Sequence, residues 1–281
     1  MTAGGMKVNK SGRVVYLTFP GFEKYGFVRH AFSTRAGGVS GGVFSSMNLS
    51  FGRGDDEKNV MENYRLFCKA AGFGFETLVA SSQKHGTSIR RVGKKNAGTG
   101  IFKPQDMESA DGLITNEPGV TLVTYYADCV PLYLIDVKKH AVGLVHAGWR
   151  GTAAKIGAEA VAAMAREFGS RPCDMAAAVG PSIGPCCFEV DKPVRDVFAS
   201  VGGIGSPDGF IKEGRNGKYH INLWEANRRI LKEAGIPDSS IAVSGVCTKC
   251  SHDVFFSHRA MGAARGGMAA FMEIKEENDG N

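Results

Sequence analysis

Short runs of β-branched, aromatic and aliphatic residues, broken by glycine-rich turns, recur along most of this chain. VVYLTF and VRHAFST near the N-terminus predict early strands, and TLVASS another around residue 80. The central trio TLVTYYA, VPLYLIDV and AVGLVHA is nearly continuous in apolar residues, a pattern of strands covered on both faces. MAAAV, IAVSGV and MAAFMEI predict later strands. Helical spacing appears where Asp55 or Asp56 caps a segment whose apolar side is Val60, Tyr64, Phe67, Cys68 and Ala71, with Gly72 placed to end it. Thr152 is expected to open an alanine-rich helix closed by Gly169. Two more helices are expected around PVRDVFAS and, capped by Asn222, LWEANRRILKEAG. The segment RAGGVSGGVFSSM reads as loop. Strands outnumber helices without regular βαβ alternation, so the expected class is α/β, a mixed sheet layered with helices. No interior linker is visible, so residues 1–281 are expected to form a single α/β domain whose tail frays from about residue 270.

Composition narrows the function classes. At 43% hydrophobic and 22% charged the chain is globular, and its 38 glycines, about twice the usual share, follow no repeat. The longest apolar stretches fall short of the roughly 18 residues that a membrane helix needs, and the N-terminus shows no secretory signal pattern. Seven cysteines without a framework spacing suggest a reducing, cytoplasmic setting in which thiols serve metal binding or catalysis. The net charge of +6 comes with no basic block and no nucleic-acid motif, which argues for small anionic ligands over nucleic acid.

Three side chains lie where a strand meets a small-residue turn: His85 in SSQKHGTS, Cys129 in YYADCVPLYL and His146 in LVHAGWRGT. Two imidazoles and a thiolate suit zinc with a fourth position open to water, and bound water would then act as nucleophile. The same atoms also allow Cys129 as nucleophile with His146 as its base, and the spacing alone does not exclude three ordinary core residues. Arg35, Arg150 and Arg259 flank glycine-rich turns and are candidates for phosphate, with Gly151 and Thr152 beside Arg150 at a helix start. Cys247 and Cys250 in CTKC look like half of a structural zinc site, but no second C-x-x-C pair exists, and Cys186-Cys187 is weaker still.

The segments STRAGGVSGGVFSSMNLS, QKHGT, ADGLIT, ADCVPLYL, HAGWRGT, VGPSIGPCCFEV, INLWEANR and CTKCSHDVFFSHRA, in that order, resemble the purine nucleoside phosphorylase / peptidoglycan editing factor family, formerly called multicopper polyphenol oxidase (laccase) or DUF152. The resemblance implies a fold similar to the catalytic domain of cytotoxic necrotizing factor toxins, with a Cys–His pair at its heart and a zinc site on His85, Cys129 and His146. It implies phosphorolysis of adenosine, inosine and methylthioadenosine, and adenosine deamination. His258 stands where the family more usually has tyrosine, and Lys84 where it often has valine. The general acid/base is not identified by sequence, and Asp128 beside Cys129 is one candidate. The alternative is a Cys129–His146 amidase that removes a misincorporated amino acid from muramyl-nucleotide precursors of peptidoglycan. Copper fits the same three ligands. A multicopper oxidase, however, would use about ten histidines in His-x-His arrangements, and this chain has seven histidines and no such pair.

Overall fold

The computed structural model describes residues 2–105 and 108–276. From the N-terminus, β1 (Thr2–Ala3), β2 (Met6–Ser11), β3 (Val14–Thr18) and β4 (Val28–Ser33) run as an antiparallel meander. Helix α1 (Glu57–Ala71) starts at Asp56, whose carboxylate accepts the Lys58 N–H, and stops at Gly72 in the left-handed conformation. Then come β5 (Leu78–Ala80), β6 (Ile89–Arg91), β7 (Gly112–Thr115), β8 (Thr121–Tyr126), β9 (Val130–Asp136) and β10 (Ala141–Ala147). Helices α2 (Trp149–Ala153) and α3 (Ile156–Phe168) lead to β11 (Met175–Val179). The remainder is β12 (Glu189–Val190), α4 (Lys192–Ala199), β13 (Ile211–Glu213), β14 (Tyr219–Ile221), α5 (Leu223–Glu233), β15 (Ile241–Val243), α6 (His258–Met261) and β16 (Met268–Ile274).

The fold is mixed α/β, built on several sheets where the sequence suggested one. A seven-stranded sheet has the order β1-β2-β3-β4-β16-β8-β5, a six-stranded sheet the order β15-β11-β9-β10-β7-β6, and a small sheet the order β12-β14-β13. Side-chain alternation sets the layers. From β8, Leu122 and Tyr126 share one core with Met268, Ala270 and Met272 of β16 and with Val142 and Leu144 of β10, so the two large sheets face each other. Val123 and Phe271 point the other way, onto Val60, Tyr64 and Phe67 of α1. Val145 and Leu134 point outward from the second sheet onto Val161 and Met164 of α3 and Ile230 of α5. Helix, sheet, sheet and helices thus stack in four layers, which is why the central strands are apolar on both faces.

Two expectations change. The alanine-rich helix is interrupted: Lys155 takes a left-handed φ of 58°, so a five-residue α2 and a separate α3 replace one continuous helix. Thr152 is tied by its hydroxyl to Asn227 of α5, while α3 restarts with Gly157 against Leu132 and Leu231. The stretch from residue 270 also differs from the expected frayed tail. Residues 270–274 belong to β16, which is buried along its whole length between β4 and β8. Residues 277–281 of the expected tail lie outside the described residues.

Candidate metal centre

His146 ends β10 on the side facing the other large sheet, in step with Val142 and Leu144. Cys129 lies where the chain passes from β8 in one sheet to β9 in the other, a sharp passage that puts Asp128 at a φ of 90°. His85 follows β5 and is itself held at a φ of 60°. One carboxylate fixes two of these three positions. Asp111, at the start of β7, accepts the backbone N–H groups of Lys84, His85 and Gly86 at 3.2, 2.9 and 2.8 Å, and its Oδ1 lies 2.8 Å from His146 Nδ1.

One ligand atom each from His85, Cys129 and His146 lies within 4.8 Å of the others. The structure therefore brings together the three residues singled out in the sequence. Nδ1 of His146 is engaged by Asp111, which leaves Nε2 for a metal, the usual arrangement for a ligating histidine. Gly148 keeps the space clear: a Cβ there would sit 2.8 Å from the His85 ring and 3.4 Å from Cys129 Sγ. Donor chemistry, spacing and the supporting carboxylate all fit a zinc-type site with three protein ligands and an open position.

The electrostatics favour the thiolate that a metal would bind. Burial works against charge on Cys129, but the facing His146 and hydrogen bonds from both imidazoles outweigh it and bring the thiol down to about 6. Burial also disfavours charged His146, yet the Cys129 thiolate and the Asp111 carboxylate raise it to about 9. Without metal the pair is therefore a thiolate facing an imidazolium.

The centre opens onto a cavity of about 780 Å³, within the usual size range for small-molecule sites. Phe51, Trp149, Phe188 and Leu223 supply apolar wall, and Arg53, Arg150, Arg259 and Arg265 supply positive charge. Arg150 stacks on the Trp149 ring at 4.3 Å, and Arg259 lies over Phe188 with its guanidinium donating to the Glu189 carbonyl. Arg35 is a correction. It does not line the cavity, because its guanidinium donates to the carbonyls of Ser45 and His252 and stacks on Phe256. Asp128 lines the cavity, and its buried carboxylate accepts from the hydroxyls of Thr248 and Ser257 and from the Arg259 N–H, so it brackets the 248–259 segment.

Sequence reasoning missed Asp111, Arg53 and Arg265. Arg265 is buried, donates to the Gly266 carbonyl, and leaves its Nε without a hydrogen-bond partner among the described residues. Burial, then the neighbouring Arg53 cation, lower its pKa to about 10. The only sequence signals were the ADGLIT segment and arginines inside FGRGDD and ARGGM, none of which specifies a role.

Comparison with known proteins places this chain in a family. Residues 29–275 match the family model described as "Multi-copper polyphenol oxidoreductase laccase". "Purine nucleoside phosphorylase YlmD" of Geobacillus stearothermophilus is 41% identical over 249 residues, 87% of this chain and 89% of that one. "Adenosine deaminase RL5", from an unknown prokaryotic organism, is 34% identical over 84% of this chain and 90% of its own length. The crystal structure of the G. stearothermophilus YlmD superposes with a TM-score of 0.87 at 36% identity, covering 97% of this chain and all of that one.

Proposed function

The chain belongs to the multi-copper polyphenol oxidoreductase laccase family, and on that footing we propose that it is a zinc-dependent purine nucleoside phosphorylase. It would act on adenosine, inosine and methylthioadenosine, with adenosine deaminase activity as well, as a single α/β domain in the cytoplasm. The observation that carries the reading is the convergence of His85, Cys129 and His146 on the floor of a cavity with aromatic walls and several arginines. The activities for which two relatives are named, purine nucleoside phosphorylase and adenosine deaminase, support it.

In this reading His85, Cys129 and His146 hold the metal. When bound, zinc supplies a Lewis acid at the open position. Everything else falls to side chains of this chain. Asp111 keeps His146 in one tautomer and fixes the backbone that presents His85. Phe51, Trp149 and Phe188 offer faces on which a purine stacks. Phosphorolysis forms a bond from a phosphate oxygen to ribose C1′ and breaks the glycosidic C–N bond, with the purine leaving on the electron pair. The phosphate must be gathered and its charge offset, a task for Arg265 and Arg53, which both line the cavity. Arg150 and Arg259 extend the positive wall.

A second reading has its own observation. Cys129, His146 and Asp111 form a nucleophile, base and orienting carboxylate in sequence, the arrangement an amidase acting on peptidoglycan precursors needs. Copper oxidation has less support, since the His85–Cys129–His146 group is the one histidine-containing cluster among the described residues and offers ligands for a single ion.

Incubating the purified protein with adenosine and phosphate separates these readings. The proposal predicts ribose 1-phosphate and adenine, dependent on phosphate, abolished by thorough chelation and restored by zinc. Undiminished turnover after metal removal, or hydrolysis of a muramyl-nucleotide amide in its place, would overturn it.

A further inference from the structure

A second group of metal-ligand side chains lies outside the nucleoside site. β11 and β15 pair in parallel, Ala177 opposite Ile241 through Val179 opposite Val243, so the segments that follow them leave the sheet side by side. A bridge between Ser182 and Cys247 continues the pairing. The first segment then turns at Gly184-Pro185 into Cys186-Cys187, and the second makes the turn Cys247-Thr248-Lys249-Cys250. The C-x-x-C half recognised in the sequence therefore meets its partner in an adjacent pair of cysteines about sixty residues away, a pairing that only the parallel β11–β15 contact brings about.

All four sulfurs lie within 4.8 Å of one another, with Cys250 Sγ 3.5 Å from Cys186 Sγ and 3.4 Å from Cys187 Sγ. A zinc ion at a Zn–S distance of about 2.3 Å has tetrahedral S···S edges of about 3.8 Å, so these separations match one ion held by four thiolates. All four cysteines are free. The backbone also points at the sulfurs: the Gly184 N–H donates to Cys247 Sγ at 3.2 Å, and the Cys250 N–H bonds the same atom from within the turn. Such N–H···S contacts offset thiolate charge around a bound cation.

We propose that Cys186, Cys187, Cys247 and Cys250 form a structural tetrathiolate zinc site, separate from the His85–Cys129–His146 centre. With four protein ligands it has no open position, so its role is architectural. Its two loops continue directly into the cavity wall. The first carries Ile183 and Phe188, and the second leads to His258 and Arg259. Arg259 already reaches across, donating to the carbonyls of Cys187 and Glu189. The ion would clip together the two segments that form this side of the nucleoside pocket.

The test uses Cys129→Ser full-length protein, which lacks a ligand at the other centre and reports on the four cysteines whether or not that centre binds metal. Loaded with cobalt(II), it should show the intense thiolate-to-metal charge transfer and visible bands of a tetrathiolate site, and further substitution of Cys186 and Cys250 by serine should abolish them. In wild-type protein purified without added metal, the exposed Cys186 and Cys250 should resist alkylation until a chelator strips zinc, which keeps the proposal testable if the variant fails to fold. Immediate alkylation of those two cysteines, a disulfide among the four in freshly purified protein, or a folded Cys129→Ser protein without thiolate–cobalt bands would overturn it.

Discussion

Asp111 shows how much one residue carries. It is buried, and its carboxylate is held below its ordinary value: burial opposes the charge, but the His146 imidazole and the Gly86 and His85 N–H groups overcome that. The same two oxygens fix the His146 tautomer and the strained backbone at His85, so a loss there disturbs two of the three converging side chains together. Asp111→Asn should lower zinc affinity by roughly 10–100-fold while leaving the fold intact, as removal of supporting carboxylates generally does. Competition against a chromophoric chelator reads this directly, and an unchanged affinity would contradict the assigned role. At this scale the sequence singled out the three side chains that converge but not the groups that support them. His85, Cys129 and His146 are residue types whose chemistry is visible in isolation. Asp111 and Arg265 acquire theirs only from what surrounds them, one by facing an imidazole and the other by being buried beside Arg53.

Elements were legible where a local signal fixed both ends. Asp56 and Gly72 bound α1, and Asn222 caps α5 by accepting the Glu225 N–H, as their residue types suggest. The break at Lys155 was hidden, because Ala153, Ala154, Lys155 and Ile156 all favour helix, whereas the bond that ties α2 in place, from Asn227 to the Thr152 hydroxyl, is a tertiary contact. MAAFMEI was readable as a strand, but its place inside the seven-stranded sheet, between β4 and β8, was not, since β16 pairs with strands some 150 and 240 residues earlier in the chain. The four-cysteine group was missed for the same reason. A C-x-x-C turn is a local pattern, whereas its completion by Cys186-Cys187 depends on parallel pairing of β11 with β15.

At the scale of the molecule, the interface between the two large sheets both carries the candidate site and supports the stability of the fold. His30 of β4 faces that interface, ringed by Phe19, Phe22 and Tyr133, and its Nε2 accepts the Phe19 N–H at 2.7 Å. Burial lowers its pKa from 6.5 to about 4, against a small opposing pull from Glu23. Between those values the unfolded chain binds a proton that the folded chain does not, so stability falls as pH drops through that window and levels off below it. The effect approaches roughly 3 kcal/mol at its full extent. In His30→Gln, denaturation midpoints should fall less steeply from pH 6.5 to 4 than in the wild type, and parallel profiles would remove His30 as the source.

Everything proposed for the nucleoside cavity depends on three side chains, contributed by a loop, a crossing between sheets and a strand end, sharing one ion. Diffraction at the zinc absorption edge, from crystals grown without added metal, examines that point directly. An anomalous peak within bonding distance of the His85 and His146 ring nitrogens and of Cys129 Sγ is the expected result. A map in which those three side chains are well ordered and no such peak lies between them would contradict it.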